Sequence, residues 1–241
     1  MRNLILVILT ISICSPLVYT QDLTVPNTIL QELSDIVFID DNEGKDTISF
    51  KVVFPDNYDS TMTYPVAICL SGGDQSEPIV NYCYAAWFRT KYFENFLMIL
   101  PLNTTGMNLK DYSDKEVENI ERLIKNNFNV SDENWIIAGT SNGGVACFNF
   151  IAKSPKLYQG VIVMPGAIDT KITVNSDWNH LKVILAYGEN DSEKWIDAVK
   201  KTKKKIENNV SEVITVVLKG QGHILPIDFD LNQVYDKYFK N

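Results

Sequence analysis

Asn134-Trp135-Ile136-Ile137-Ala138-Gly139-Thr140-Ser141-Asn142-Gly143-Gly144 is an apolar run that stops abruptly at a serine set among glycines. Trp135 to Ala138 reads as a buried strand, and Val145 to Ala152, just beyond, as an apolar helix. Between them, Gly139-Thr140-Ser141-Asn142-Gly143 fits the G-x-S-x-G spelling of a nucleophile elbow, a sharp strand-to-helix turn. The turn strains the backbone at its central serine and leaves no room for side chains two residues to either side. Gly139 and Gly143 remove those side chains. The same letters also spell ordinary loops, so the flanking strand and helix carry the reading.

Working outward, Asp35 to Ile39 and Thr47 to Phe54 read as two strands around the turn Asp41-Asn42-Glu43-Gly44, forming an antiparallel edge. Further apolar strands are expected at Val66 to Leu70, Phe96 to Leu100, Gly160 to Met164, Leu181 to Tyr187 and Val213 to Leu218. Helical stretches fall between them, at Tyr82 to Phe93, from Ser113 onward, at Ser192 to Asn208 and at Pro226 to Phe239. Ser113 and Glu116 spell a capping box, and Val117, Ile120, Leu123, Ile124 and Phe128 line one helical face behind them. Apolar strands alternating with helices predict an α/β fold, a mostly parallel sheet of about eight strands with helices on both faces. Ligands of such sheets gather at the carboxyl ends of the strands.

A chain of 241 residues with 45% hydrophobic content suits one domain with a sizeable core. Met1-Arg2-Asn3 followed by the apolar Leu4 to Cys14 reads as a signal peptide over residues 1–20, leaving residues 21–241 as a single secreted domain. Lipid anchoring through Cys14 is the alternative, with Ile13 a poor residue before a lipidated cysteine. The apolar run is too short for a stable membrane span. Loss of Arg2 with this leader takes the net charge from −8 to −9, which argues against a nucleic-acid partner. Cys69, Cys83 and Cys147 form no C-x-x-C pair and read as buried free thiols, with one bridge possible. With only two histidines, no metal site is expected.

Ser141 needs a base, and His223, in the glycine loop after the strand ending near Leu218, follows it in sequence and sits at the correct sheet end. His180 precedes its strand at the opposite end and reads as structural. The carboxylate that orients the base is Asp191, just past Tyr187 and Gly188, with Asp169 the competing acid and Glu189 a third choice. Oxyanion donors are expected from the backbone of Asn142 and from the loop Leu70-Ser71-Gly72-Gly73-Asp74-Gln75, with Gly73 favoured and Asp74 next to it. Asp74, Tyr84, Trp87 and Trp195 are candidate substrate contacts; aromatic residues at such places are more often core.

Through Leu70-Ser71-Gly72-Gly73, Gly139 to Gly143, Gly188-Glu189-Asn190-Asp191 and Gly222-His223, the chain resembles a small α/β-hydrolase of the esterase branch. The resemblance runs from about Ser49 to Phe239 and implies an eight-stranded sheet and a Ser-His-Asp triad that forms and hydrolyses an acyl-enzyme, with no cofactor. Ser71 stands where many members have histidine. Little sequence lies between Gly160 and Leu181, where larger members insert a lid, so the chain is more similar to lidless carboxylesterases and acetyl or feruloyl esterases. The implied substrate is a small-molecule or polysaccharide-linked ester. An acyltransferase or peptidase with the same triad, or a non-catalytic binding protein on the same fold, are the alternatives.

Overall fold

A computed structural model describes residues 24–39, 47–103 and 106–240. The leader, Cys14 and the Asp41 to Gly44 turn lie outside the described residues. Eight strands form one sheet: β1 Ser34–Ile39, β2 Thr47–Val53, β3 Val66–Leu70, β4 Leu97–Pro101, β5 Trp135–Gly139, β6 Tyr158–Val163, β7 Lys182–Gly188 and β8 Glu212–Leu218. Their order is β1-β2-β4-β3-β5-β6-β7-β8. Only β2 runs against its neighbours, and every pair from β4 to β8 is parallel. The expected antiparallel edge and parallel body are both present.

The central strands are apolar throughout because both sheet faces are covered. In β3, Val66, Ile68 and Leu70 enter one core while Ala67 and Cys69 enter the other. The first core is closed by α3 Asp114–Asn127, α4 Asn142–Lys153 and α5 Glu193–Ile206, through Val117, Ile120, Phe148, Phe150, Val199 and Ile206. The second is closed, beyond a one-turn helix α1 Asn27–Leu30 at the start of the described chain, by α2 Glu77–Cys83 and α6 Asn232–Phe239, through Val80, Tyr82, Val234 and Tyr235. The capping box on α3 is formed in full by Ser113 and Glu116.

Two helical expectations are corrected. The stretch Tyr82 to Phe93 is not one helix: α2 ends at Cys83 and passes into a wide π turn over Tyr84–Phe88, closed by the Arg89 N–H on the Tyr84 carbonyl at 2.7 Å. The last helix starts at Asn232 rather than near Pro226, after the Asp230 carboxylate has accepted the Asn232 N–H. Cys69, Cys83 and Cys147 are buried and free, so no bridge forms among them.

Candidate active site

The turn between β5 and α4 is set by contact of backbone with backbone. Ser141 sits at φ 54° and ψ −119°, in the region that disfavours side chains, and its N–H is held by the Pro165 carbonyl at 2.7 Å. A Cβ on Gly143 would lie 1.9 Å from the Leu70 carbonyl oxygen, and one on Gly139 would lie 2.6 Å from both the Cys147 Sγ and the Gly143 oxygen. The turn therefore exists only with glycine at both places, as the spelling predicts.

Strands β7 and β8 bring the other two groups to it. Their carboxyl ends are joined by the Glu189 N–H on the Leu218 carbonyl at 2.9 Å and the Asn190 N–H on the Gln221 carbonyl at 2.8 Å. His223 then stands with Nε2 3.0 Å from Ser141 Oγ and Nδ1 2.9 and 3.1 Å from the Asp191 carboxylate oxygens. The Asp191 side chain is only 1% exposed, and its Oδ1 also accepts the Ser192 N–H at 2.7 Å. An Nδ1 hydrogen donated to Asp191 leaves Nε2 free to accept from the serine hydroxyl. Trp195, in the first turn of α5, stacks on the imidazole with ring centroids 5.2 Å apart and so covers one of its faces.

The competing acids are engaged elsewhere. Asp169 is exposed and accepts the Lys171 N–H at 2.8 Å within its own turn. Glu189 pairs with Lys219 and the Gly220 N–H, which together hold its carboxyl below the ordinary range. His180 Nε2 is placed against the Tyr158 and Pro155 carbonyls, far along the sheet from the turn, in the structural role expected of it.

Gly73, at φ 58°, faces Ser141 across a cavity of about 240 Å³. Ile79, Tyr82, Cys83, Trp87 and Ile224 line the rest of that cavity, together with Gly72, Thr140, Ser141 and His223. The Tyr82 hydroxyl is already donated to the Leu225 carbonyl at 2.7 Å, so the lining is apolar in effect. Asn142 is the first residue of α4, and its N–H has no acceptor inside the helix.

Of the expected substrate contacts, Trp87 lines this cavity and Trp195 touches His223. Tyr84 does not join them: the π turn directs it to Glu32, and it borders a separate cavity with Arg89. Burial resists ionisation of Glu32, but hydrogen bonds from Arg89 and Tyr84 outweigh it and keep that carboxyl below its usual value. The Asp74 carboxylate is likewise turned away, accepting the Ser76 N–H at 3.0 Å. Ile79, Cys83 and Ile224 were missed as lining residues, although Ile79 and Cys83 lie at a spacing that puts both on one face of α2. Among the described residues, no group of three His, Cys, Asp or Glu side chains is placed to hold a metal ion, and no helix is long and apolar enough to cross a membrane.

A profile described as Phospholipase/Carboxylesterase matches residues 61–230, which span the β3 loop, the elbow, Asp191 and His223. The chain belongs to that family. Its members are α/β-hydrolases, and solved structures of esterases share the architecture. A thermostable esterase superposes with a TM-score of 0.65 at 16% identity over 89% of this chain, which spans 61% of that one. A ferulic acid esterase from Anaeromyces mucronatus gives 0.60 at 17% identity over 86% of this chain and 88% of its own. An S-formylglutathione hydrolase from Agrobacterium tumefaciens gives 0.61 at 13% identity, covering 86% and 93% respectively. At these identities the likeness is one of fold. No curated protein sequence matches this member of the family significantly.

Proposed function

We propose that the protein is a serine carboxylic-ester hydrolase working through an acyl-enzyme. The observation that carries this reading is the unbroken hydrogen-bonded chain from Ser141 Oγ through His223 to the buried Asp191 carboxylate. Ser141 Oγ attacks the ester carbonyl while His223 Nε2 takes its proton. Asp191 holds the imidazole in the required tautomer and stabilises the imidazolium. The N–H groups of Asn142 and Gly73 receive the charge on the tetrahedral oxygen. His223 then protonates the leaving alcohol, and water, activated by the same nitrogen, releases the acid.

The cavity beside Ser141 suits an apolar acyl group. Its 240 Å³ exceeds the ~150 Å³ that holds a benzene ring, and no Asp, Glu, Lys or Arg side chain lines it. Acyl chains of roughly four to eight carbons, or a phenyl ring on a short linker, fit that space better than acetyl or a charged acyl group. Each methylene buried is worth about 0.8 kcal/mol, or roughly fourfold in kcat/KM.

The test is hydrolysis of p-nitrophenyl esters from acetyl to dodecanoyl, with a succinyl ester beside them, by the wild type, Ser141→Ala and His223→Ala. Specificity is expected to climb from acetyl to about hexanoyl and then fall, with both variants lower by at least about 10⁴. A folded wild type that turns over none of these esters, or a Ser141→Ala variant that remains active, would sink the reading. A maximum at acetyl or succinyl would sink only the acyl preference.

A further inference from the structure

The loop after β3 owes its shape to a residue that takes no part in the triad. Gln75 is fully buried and sits at φ 57°, a left-handed conformation unfavourable to a glutamine. Its Nε2 lies 2.9 Å from the Gly73 carbonyl oxygen, 3.2 Å from that of Ser71 and 3.3 Å from that of Gly72. Its Oε1 accepts the Leu109 N–H at 3.2 Å, anchoring the amide to a segment beyond β4. Two more amides converge on the Gly73 oxygen: Asn108 Nδ2 at 2.8 Å and Asn142 Nδ2 at 2.9 Å.

In a planar trans peptide the N–H points opposite the C=O. Fixing the Gly72 and Gly73 carbonyls therefore fixes the direction of the Gly73 and Asp74 N–H groups, the two candidate oxyanion donors on this loop. A segment containing Gly72-Gly73 has wide backbone freedom. A peptide flip there would aim a carbonyl dipole, instead of an N–H, at a developing negative charge.

We propose that Gln75, assisted by the side chains of Asn108 and Asn142, is the positioning residue of the oxyanion hole. It fixes the carbonyls of Ser71 to Gly73 in direction, so the Gly73 and Asp74 N–H groups are oriented before substrate arrives. Glutamine meets the requirement because one end donates to the loop while the other accepts from Leu109. Glutamate would set a negative charge against three carbonyls, and methionine would keep the length but remove the one side-chain donor that reaches all three, leaving Gly73 its two asparagine amides and Gly72 the residue-75 N–H. The inference rests on the proposed esterase activity and goes beyond it in assigning the loop's geometry to a side chain that never touches substrate.

The experiment compares wild type with Gln75→Met, Asn108→Ala and Asn142→Ala in the full chain. The last keeps its own backbone N–H. The readouts are kcat and KM on p-nitrophenyl butyrate and Ki for a trifluoromethyl ketone of the same acyl length, which forms a tetrahedral adduct bearing an oxyanion. Gln75→Met is expected to lower kcat about 10- to 100-fold, the scale of a misplaced catalytic group, with KM within about twofold. Its Ki for the ketone should rise by a factor similar to the kcat loss. Asn108→Ala and Asn142→Ala should move kcat and Ki the same way by about 3- to 10-fold, and they keep the idea testable if Gln75→Met does not fold. A folded Gln75→Met with wild-type kcat overturns the proposal. A kcat loss with unchanged ketone affinity does so too, as do unaltered kinetics in both asparagine variants. With an active wild type, those results leave the esterase reading standing, whereas a wild type inert on every ester overturns both.

Discussion

The elbow at Ser141 and the loop at Gly73 face each other across the same cavity, yet different forces shape them. The elbow is held by packing added to its backbone hydrogen bonds: its glycines sit so close to the Leu70 carbonyl and to Cys147 that a single methyl group has nowhere to go. The loop is held by hydrogen bonds from Gln75, Asn108 and Asn142, and a Cβ on Gly73 would meet only the flexible side chain of Ile79, at 3.2 Å. Packing against backbone is all-or-none over a few tenths of an ångström. A hydrogen-bonded loop can yield by degrees, so Ser141 is rigidly placed while the loop proposed to receive the oxyanion is tunable.

Alanine at the two positions is the most direct way to break this contrast. Gly143→Ala forces a methyl against a carbonyl that belongs to the central strand β3, so neither partner can rotate away. The expected cost exceeds about 3 kcal/mol. In a protein of this size it would appear as a melting temperature lower by roughly 6–12 °C or more, or as loss of soluble protein. Gly73→Ala should cost less, about 1–2 kcal/mol, from placing alanine at φ 58°, with Ile79 turning aside. Calorimetry on both variants checks the difference. Equal losses would mean that packing holds the loop as tightly as it holds the elbow.

The same distinction explains what the sequence disclosed. The elbow was legible because close packing leaves a local spelling: Gly139 and Gly143 are required by geometry, two residues either side of Ser141. The sheet was legible because β3 to β6 are apolar on both faces, and Asp191 and His223 followed from lying just past the ends of β7 and β8. Gln75 was not legible as a clamp. Its Leu109 and the loop's Asn108 partner lie 34 and 35 residues beyond the groups they meet, and no short-range pattern encodes such contacts. Tyr84 was a candidate only as an aromatic residue that follows the β3 loop, and sequence order alone does not say which way such a residue faces. The π turn adds a residue to the helical turn, so Tyr84 faces Glu32 while Trp87 reaches the cavity.

Two buried thiols report on the two regions separately and sharpen the comparison at its smallest scale. Cys147 packs directly beneath the elbow, and Cys83 lies beneath the β3 loop, where it lines the cavity. Burial pushes the Cys83 thiol up to about 11, against the opposing pull of the Gly72 backbone and the Ser71 hydroxyl, and pushes Cys147 up further still. Both thiols are therefore almost wholly protonated at pH 8; Cys147, fully buried, is alkylated only from opened states, whereas Cys83 borders the cavity and reports loop opening through the change that Asn108→Ala makes in its rate. A loop secured by a few amide hydrogen bonds should open more often than a turn packed against β3. Timed iodoacetamide labelling followed by peptide mass spectrometry should find Cys83 modified well before Cys147, and earlier still in Asn108→Ala. Cys147 labelled first, or both at one rate in every variant, would mean that elbow and loop open as a single unit and that the hydrogen bonds add no separate compliance at the oxyanion side.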